Sequence, residues 1–339
     1  MKRGYHALRV KAVVPETADA RSYVLDVPDH LRDEFGYRPG QFCTFRVHLD
    51  QQDHMRCYSM SSAPETDDDL TVTVKRVPGG LVSNWFNDHV AAGDVLDVSA
   101  PTGVFCIREG PRPVVAFCGG SGVTPVMSIV KTVLATTDRP VKVLYANRGR
   151  DSVIFDHELR SLSGGPHAGR FDLRLHFDAD GGYLDRSVIA DLAAGALDAD
   201  FYICGPGPFM DLVETALLEI GVDPARISIE RFTIAPTPEP VDAAAESTET
   251  VTLILGAKKT TIAYRPGDTV LETARRAALQ APFSCEAGNC ATCMALLREG
   301  SATMRVNNTL TPDELDQGWI LTCQALPEGR AITVDYDEV

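Results

Sequence analysis

The chain reads as three domains in succession: an antiparallel β-barrel over residues 1–110, an α/β domain on a parallel sheet over 111–234, and a small α+β domain over 250–339. Three observations predict this. Short runs alternating apolar and polar residues fill the first hundred positions, a strand-and-helix rhythm takes over from about residue 112, and CEAGNCATC (285–293) packs three cysteines into nine positions. At 339 residues and 44% hydrophobic, the chain is long enough for two or three cores.

QFCTFRVHL (41–49) and LTVTVKRV (70–77) carry the period-two pattern of half-buried strands, broken by Pro, Gly and Asp clusters, which suits a small antiparallel sheet or barrel. Further on, VVAFC, VKVLYA, FDLRLHF, FYIC and ISIE are continuous apolar strand candidates. Helical stretches such as PVMSIVKTVLA and FMDLVETALLEI separate them, the alternation of a parallel sheet covered by helices. Residues 235–249, APTPEPVDAAAESTE, have no apolar period and read as a linker. Beyond it come paired strands (VTLILGA, TTIAYR), one helix near TVLETARRAAL, the cysteine loop, and closing strands (WILTCQA, AITVDY).

Composition excludes several classes. No apolar run approaches the roughly 18 residues of a membrane span, and MKRGYHALRV lacks the apolar stretch of a secretory signal, so a cytoplasmic protein with no membrane partner is expected. Nine scattered cysteines, an odd number in a large chain, argue against a disulfide framework. The formal charge of -15 opposes nucleic-acid binding.

Cys285, Cys290 and Cys293 read C-x4-C-x2-C, and 29 residues separate the third from Cys323. One loop supplying three thiolates and a later strand a fourth is the plant-type spacing for a 2Fe-2S cluster. Gly288 permits unusual backbone angles, and small Ala287 and Ala291 let amides approach the sulfurs. Structural zinc is the alternative, but zinc ribbons usually present two CxxC knuckles where this chain has one. No C-x-H pair supplies Rieske ligands, so the chain is not itself a Rieske protein. Such a cluster moves one electron at a potential on the order of -400 mV.

A one-electron carrier needs a source, and a flavin converts electron pairs into single electrons. In RCYSM (56–60), just after a strand, Arg56 can pair with a pyrophosphate, Tyr58 can pack on an isoalloxazine face, and Ser59 can hydrogen-bond its N5 edge. An ordinary strand with a buried aromatic fits the same four residues. In VKRVPGGLVSNW (74–85), Gly79 and Gly80 lead into a helix whose first turn spans Leu81, Val82, Ser83 and Asn84, and amides at such a start bind phosphate. Lys75 and Arg76 can reach ribose or phosphate, or can simply be solvated.

CGGSGVTP (118–125) follows a strand and precedes a helix opened by Pro125. Gly119, Gly120 and Gly122 permit a tight turn, and Thr124 offers a hydroxyl and an amide to a pyrophosphate. This is not G-x-G-x-x-G, so a generic strand-to-helix turn remains open. CGPGPFM (204–210) sits in the same place after another strand, and two such loops define a crevice at the carboxyl edge of the sheet. Cys204 is expected to face it, although a free cysteine is usually a small buried hydrophobe.

RCYS, GGSGVTP and CGPGPFM in this order, followed by the cluster spacing, resemble the ferredoxin-NADP reductase family, in the branch with a C-terminal plant-type ferredoxin domain. The resemblance covers the whole chain. YANRGRDSVIF, ICGPGPFM, APFSCEAGNC and the VDYDE ending are most similar to the branch serving 3-ketosteroid 9-alpha-hydroxylases, with phenylacetyl-CoA epoxidase reductases as near relatives. It implies an FAD barrel, a pyridine-nucleotide domain and a β-grasp 2Fe-2S domain that together pass electrons to an oxygenase partner. It further implies that Arg56, Tyr58, Ser59, Lys75 and Gly80 to Ser83 hold FAD, and that Gly120, Gly122, Thr124, Cys204 and Gly205 hold the nucleotide. Ser59, Cys204 and Glu230 fall beside the reacting rings, and Phe232 stands where plant-type reductases carry a ring-stacking aromatic. Two departures stand out: Glu286 replaces an arginine common after the first cluster cysteine, and the chain continues past Phe232.

The expected mechanism is hydride transfer from NAD(P)H, over the 119–124 loop, to flavin near Ser59 and Cys204, then single electrons to the cluster. The linker composition suggests a swinging cluster domain, whose truncation would slow acceptor reduction while sparing flavin reduction. Arg148 and Arg150 in ANRGR can clasp a 2'-phosphate and favour NADPH; the resemblance favours NADH, and loop arginines are often just solvated. A monomer is expected. Two other functions compete: a ferredoxin-like carrier, which would not need the two glycine loops, and a zinc-stabilised binding module, which would be colourless.

Overall fold

Period-two burial builds the first sheet of the computed structural model, which describes residues 4–232, 248–286, 288 and 290–338. Its strands are β1 (Tyr5–Thr17), β2 (Ala20–Asp26), β3 (Phe42–Leu49), β4 (Gln52–Ser59) and β5 (Leu70–Lys75), then helix α1 (Leu81–His89) and β6 (Val95–Ser99). The spatial order is β4-β3-β6-β1-β2-β5. Beyond β4, Met60 bridges Val72 and the Ser61 N–H donates to Thr71 O at 2.8 Å, which brings the two outer strands together and closes the barrel. Leu70, Val72 and Val74 of β5 point inward, with Thr71 and Thr73 between them. Helix α1 caps this core with Phe86, which meets Tyr23, Phe45 and Tyr58 edge-on at ring distances of 5.3–5.5 Å. Burying such rings stabilises by about 1.5–3 kcal/mol each.

The second sheet is wholly parallel. Its elements are β7 (Val114–Gly119), α2 (Val123–Thr136), β8 (Val141–Asn147), α3 (Asp156–Gly164), β9 (Phe171–Phe177), α4 (Asp178–Gly181), α5 (Arg186–Ala193), β10 (Asp200–Cys204), α6 (Gly207–Glu219) and β11 (Ile227–Glu230), in the order β11-β10-β7-β8-β9. The continuous apolar runs are explained by two cores, one on each face. Val114, Ala116 and Cys118 of β7 join α2 and α3, while Val115 and Phe117 join α5 and α6. The chain steps outward from β7 to β9 and then returns to β10 on the other side of β7. The loops after β7 and β10 are therefore neighbours at the switch point of the sheet.

The third sheet holds β12 (Thr250–Leu255), β13 (Lys258–Ala263), β14 (Met294–Met304), β15 (Trp319–Leu321) and β16 (Ala325–Asp335), with helices α7 (Val270–Arg276) and α8 (Pro312–Asp316). β12 and β16 pair in parallel at the centre, and antiparallel partners flank them, the β-grasp arrangement. Thr269 and Glu272 start α7 with a capping box, each side chain meeting the other's backbone N–H, at 3.2 and 2.6 Å.

Barrel and parallel sheet are joined by Ser128, whose hydroxyl donates to Ser62 O at 2.6 Å, by the Lys131–Asp67 ion pair at 2.6 Å, and by Thr132 donating to Glu65 at 2.6 Å. Of the expected linker, 235–247 lies outside the described residues, as does Ala287. No helix among the described residues is long and apolar enough to cross a membrane.

Candidate functional site where three domains meet

RCYS is the end of β4 rather than a segment following a strand. Asp50 and Gln51, with φ of 50° and 63°, fold a tight hairpin that pairs QDHMRCYS back along β3. The polar start of β4 hid this strand from a hydrophobic pattern. Alternation along β4 then sends Arg56 and Tyr58 to one face and Cys57 and Ser59 to the other. Tyr58 rests its ring on Phe45 and Phe86, at 5.6 and 5.3 Å. Cys57 and Ser59 face the other two domains. There a cavity of about 60 Å³ is bounded by the barrel through Arg56, Cys57 and Ser59, by Glu230 at the end of β11 and Phe232 beyond it, and by the cysteine loop through Ser284 and Cys285.

Glu230 ends β11, beside Cys204 in register. Its carboxylate accepts from the Ser59 hydroxyl at 3.1 Å, and both side chains are buried. Burial pushes the Glu230 carboxyl up to about 8, against the opposing effect of the Ser59 hydrogen bond. The acid therefore holds its proton at neutral pH. Phe232 is partly exposed at the mouth of the same cavity.

On the phosphate side, Gly79 takes φ of 71° and Gly80 caps α1. Ser83 spends its hydroxyl accepting the Val77 N–H at 3.1 Å, and Val82 is core, so these two positions offer backbone rather than side chains to a ligand. Leu81 lies on the surface. Lys75 reaches across to the next domain: its Nζ lies 3.8 Å from where a Cβ on Gly120 would sit.

Gly120, with φ of 53°, turns the loop after β7, and its carbonyl accepts from Tyr145 Oη at 2.9 Å. Gly122 marks a close approach: a Cβ there would fall 2.1 Å from Cys204 O. Gly205 is similarly pressed, its Cβ position 3.0 Å from Gly119 N. The two glycine loops touch at the carboxyl edge, as the sequence predicts. Two side-chain expectations change. Thr124 donates its hydroxyl to Ser121 O at 3.0 Å and is buried, which leaves backbone to face a ligand. Cys204 points into the core with Cys118 and Val123 instead of into the crevice, because alternation along β10 gives its side chain to the α2 face. Burial, and then Glu230, push its thiol well above the usual range.

Among its described residues, the cysteine loop carries three in the left-handed region, Glu286, Gly288 and Ala291, at φ of 52°, 74° and 53°. Gly288 is required there, since a Cβ would fall 2.7 Å from Val306 O. None of the four candidate ligands is in a disulfide, and all are buried. They associate in two pairs, Cys285 with Cys290 and Cys293 with Cys323, and among the described residues no three metal-ligating side chains close on one point. A single tetrahedral zinc needs four donors at about 2.3 Å around one centre. A two-iron cluster takes two cysteines on each iron, so the donor set fits 2Fe-2S. The Cys285 N–H points at Cys290 Sγ from 3.4 Å and Gln324 Nε2 at Cys323 Sγ from 3.7 Å, donors that favour thiolate. Glu286, the departure in charge, is matched within the domain: Arg275 pairs with it at 2.6 Å while lying over the Phe283 ring at 4.1 Å.

With this geometry in place, the chain matches three family profiles: oxidoreductase FAD-binding domain over 7–107, oxidoreductase NAD-binding domain over 117–215, and 2Fe-2S iron-sulfur cluster binding domain over 254–328. It is 38% identical to the ferredoxin reductase component of 3-ketosteroid-9-alpha-monooxygenase from Rhodococcus rhodochrous, over 97% of this chain and 96% of that one. The chain belongs to the FAD-, NAD- and 2Fe-2S-binding reductases of multicomponent oxygenases. A component of 1,2-phenylacetyl-CoA epoxidase from Escherichia coli K12 is 31% identical over 98% of both chains. Phthalate dioxygenase reductase shares the three-domain fold, with a TM-score of 0.63, 23% identity and 98% coverage of both chains. This reductase is thus an oxidoreductase that carries electrons from a nicotinamide through FAD and a 2Fe-2S cluster to an oxygenase.

Sequence reasoning missed the seam that seats the cluster loop on the barrel. Cys57 Sγ and Ser284 Oγ lie 3.1 Å apart across 227 residues, and Phe42 packs on Cys285 and Cys290. It also missed Asp19, in the turn between β1 and β2, which pairs with Arg148 of the second domain at 2.8 Å. Neither has a local signal; each is a meeting of residues distant in sequence.

Proposed function

We propose that this reductase uses NADH and serves the oxygenase of a 3-ketosteroid 9-alpha-monooxygenase. The observation that carries it is the end-to-end 38% identity to that system's reductase component, against 31% for the epoxidase component. Arg148 is already paired with Asp19 and Arg150 with Asp180, each at 2.8 Å, which supports NADH over a 2'-phosphorylated nucleotide.

When bound, FAD would supply hydride acceptance and release of single electrons, and a 2Fe-2S cluster would supply one-electron transfer outward. The chain's own residues do the rest. Arg56 and the backbone from Gly80 through Leu81 and Val82 to Ser83 hold the FAD phosphates, Lys75 turns instead toward Asp19 and the Gly120 loop of the nucleotide site, and Tyr58 backs the flavin ring. Backbone at Gly120, Gly122 and Thr124 seats the nucleotide pyrophosphate, while Gly205 and the backbone of Cys204, whose thiol turns into the core, form the floor below the nicotinamide. Ser59 places a hydroxyl at the reacting edge and donates it to Glu230 Oε2 at 3.1 Å, and the Glu230 carboxyl, protonated at neutral pH, holds a further proton behind it. Phe232 covers the cavity mouth. Cys285, Cys290, Cys293 and Cys323 hold the cluster, and the short step from Ser59 to Cys57 to Cys285 keeps the two redox sites adjacent.

Anaerobic spectra before and after one equivalent of NADH, and separately of NADPH, test the nucleotide choice. Faster bleaching by NADPH would reject it. Coupled turnover with the steroid oxygenase and with the epoxidase tests the partner; turnover with the epoxidase alone would reject the steroid assignment.

A further inference from the structure

Asp19 is held in place from several directions. Thr17 Oγ1 donates to its Oδ1 at 2.9 Å, and its backbone carbonyl accepts the Arg76 N–H at 2.7 Å. Its other carboxylate oxygen, Oδ2, faces Arg148 Nη2 at 2.8 Å and Lys75 Nζ at 3.8 Å. Three segments meet here: the β1–β2 turn, the end of β5, and the loop after β8. Lys75 Nζ in turn stands 3.8 Å from the Cβ position of Gly120, on the loop that the proposed function assigns to the dinucleotide pyrophosphate.

Two cations beside a phosphate loop are a ready anion site, and here a fixed carboxylate of the same chain satisfies both. The Arg148 side chain is exposed, at 71%, whereas Lys75, at 15%, is largely buried. We propose that Asp19 is an internal counter-anion that occupies Lys75 and Arg148, and that a nucleotide phosphate must compete with it for them. Asp19 then lowers affinity for every phosphate-bearing nucleotide at this site and discriminates most against one whose phosphate needs Arg148. The shared chemistry is a phosphate anion, and its source is either the pyrophosphate or a ribose 2'-phosphate. The inference rests on the seating of the nucleotide over the 119–124 loop.

The test uses the full chain loaded with flavin and cluster, and calorimetric titration with ADP and with 2'-AMP. Asp19→Asn keeps the shape and an oxygen for Thr17 but removes the charge. ADP is expected to bind about three- to tenfold more tightly to Asp19→Asn, the scale of one half-buried charge at this separation. The gain should shrink between about 0.05 and 0.5 M salt, as exposed charges are screened. A larger gain for 2'-AMP than for ADP assigns Arg148 to the ribose phosphate; a larger gain for ADP assigns it to the pyrophosphate. Asp19→Glu, which restores the charge, should return affinity to near the wild-type value, and adding Arg148→Gln to Asp19→Asn should erase most of the gain. Equal or weaker binding of both nucleotides by Asp19→Asn overturns the inference. A wild-type protein that binds ADP nowhere near the 119–124 loop, shown by unchanged affinity in Gly122→Val, overturns the seating on which it rests.

Discussion

Glu230→Gln isolates the buried acid behind Ser59. The amide keeps the size of the side chain and an oxygen to accept from Ser59, but it cannot ionise. Below the ordinary carboxyl value of 4.5, both folded and unfolded wild-type chains hold the proton, and acid and amide behave alike. Between 4.5 and about 8 the unfolded chain releases the proton while the folded chain keeps it, so wild-type stability falls as pH rises. Above 8 the buried group is ionised and the loss is complete. At 1.36 kcal/mol for each tenfold change in proton affinity, the full interval corresponds to about 5 kcal/mol. Even half of that moves an unfolding transition by about 5–10 °C. A three-domain chain need not melt as one unit, so the transition to follow is flavin release, read by its fluorescence during heating at pH 5, 7 and 9. Glu230→Gln should match the wild type at pH 5 and melt progressively higher than it from pH 7 to 9. Parallel melting profiles of the two proteins across this range would refute a buried, raised acid at this position. Hydride transfer to flavin, followed by stopped flow, should also lose its pH dependence near 8 in the variant.

Three further changes probe the packing around the site. Gly122→Val drives side-chain atoms into the Cys204 carbonyl, where even a Cβ would stand 2.1 Å away, and should cost the parallel-sheet domain about 3 kcal/mol or more and abolish NADH oxidation; a stable, active variant would contradict the touching loops. Cys57→Trp wedges the seam between barrel and cluster loop. Flavin should still bleach with NADH at about the wild-type rate while cluster reduction, read by electron paramagnetic resonance, slows tenfold or more; equal cluster reduction would move the electron path elsewhere. Asp200→Ala leaves Arg139, paired to Asp200 at 2.6 Å and almost fully buried, without its counter-charge, and should destabilise by about 3–5 kcal/mol in a urea titration; a loss under 1 kcal/mol would mean that water reaches the guanidinium.

Local chemistry wrote much of this reductase directly into its sequence. The 285–323 cysteine spacing named the cluster because the ligands of one loop must lie within a few residues of each other. VVAFC and FYIC declared a sheet buried on both faces because no polar residue interrupts them. GGSGVTP and CGPGPFM were legible as turns because close backbone approach demands glycine. What stayed hidden depended on partners far away in the chain. The period-two rule that marks a strand does not say which face meets which core, so Cys204 came out beneath the crevice floor. The Thr124 hydroxyl, expected to greet phosphate, is spent on local backbone. Asp19 meets Lys75 and Arg148, and Cys57 meets Ser284, only once separate domains pack together. Glu230 acquires its raised proton affinity the same way, since desolvation belongs to the assembled junction and not to the residue. The order of residues was enough to say which cofactor chemistries this chain can hold. Which side chains are left free to serve them was settled by packing, because burial and electrostatic pairing are properties of neighbours in space.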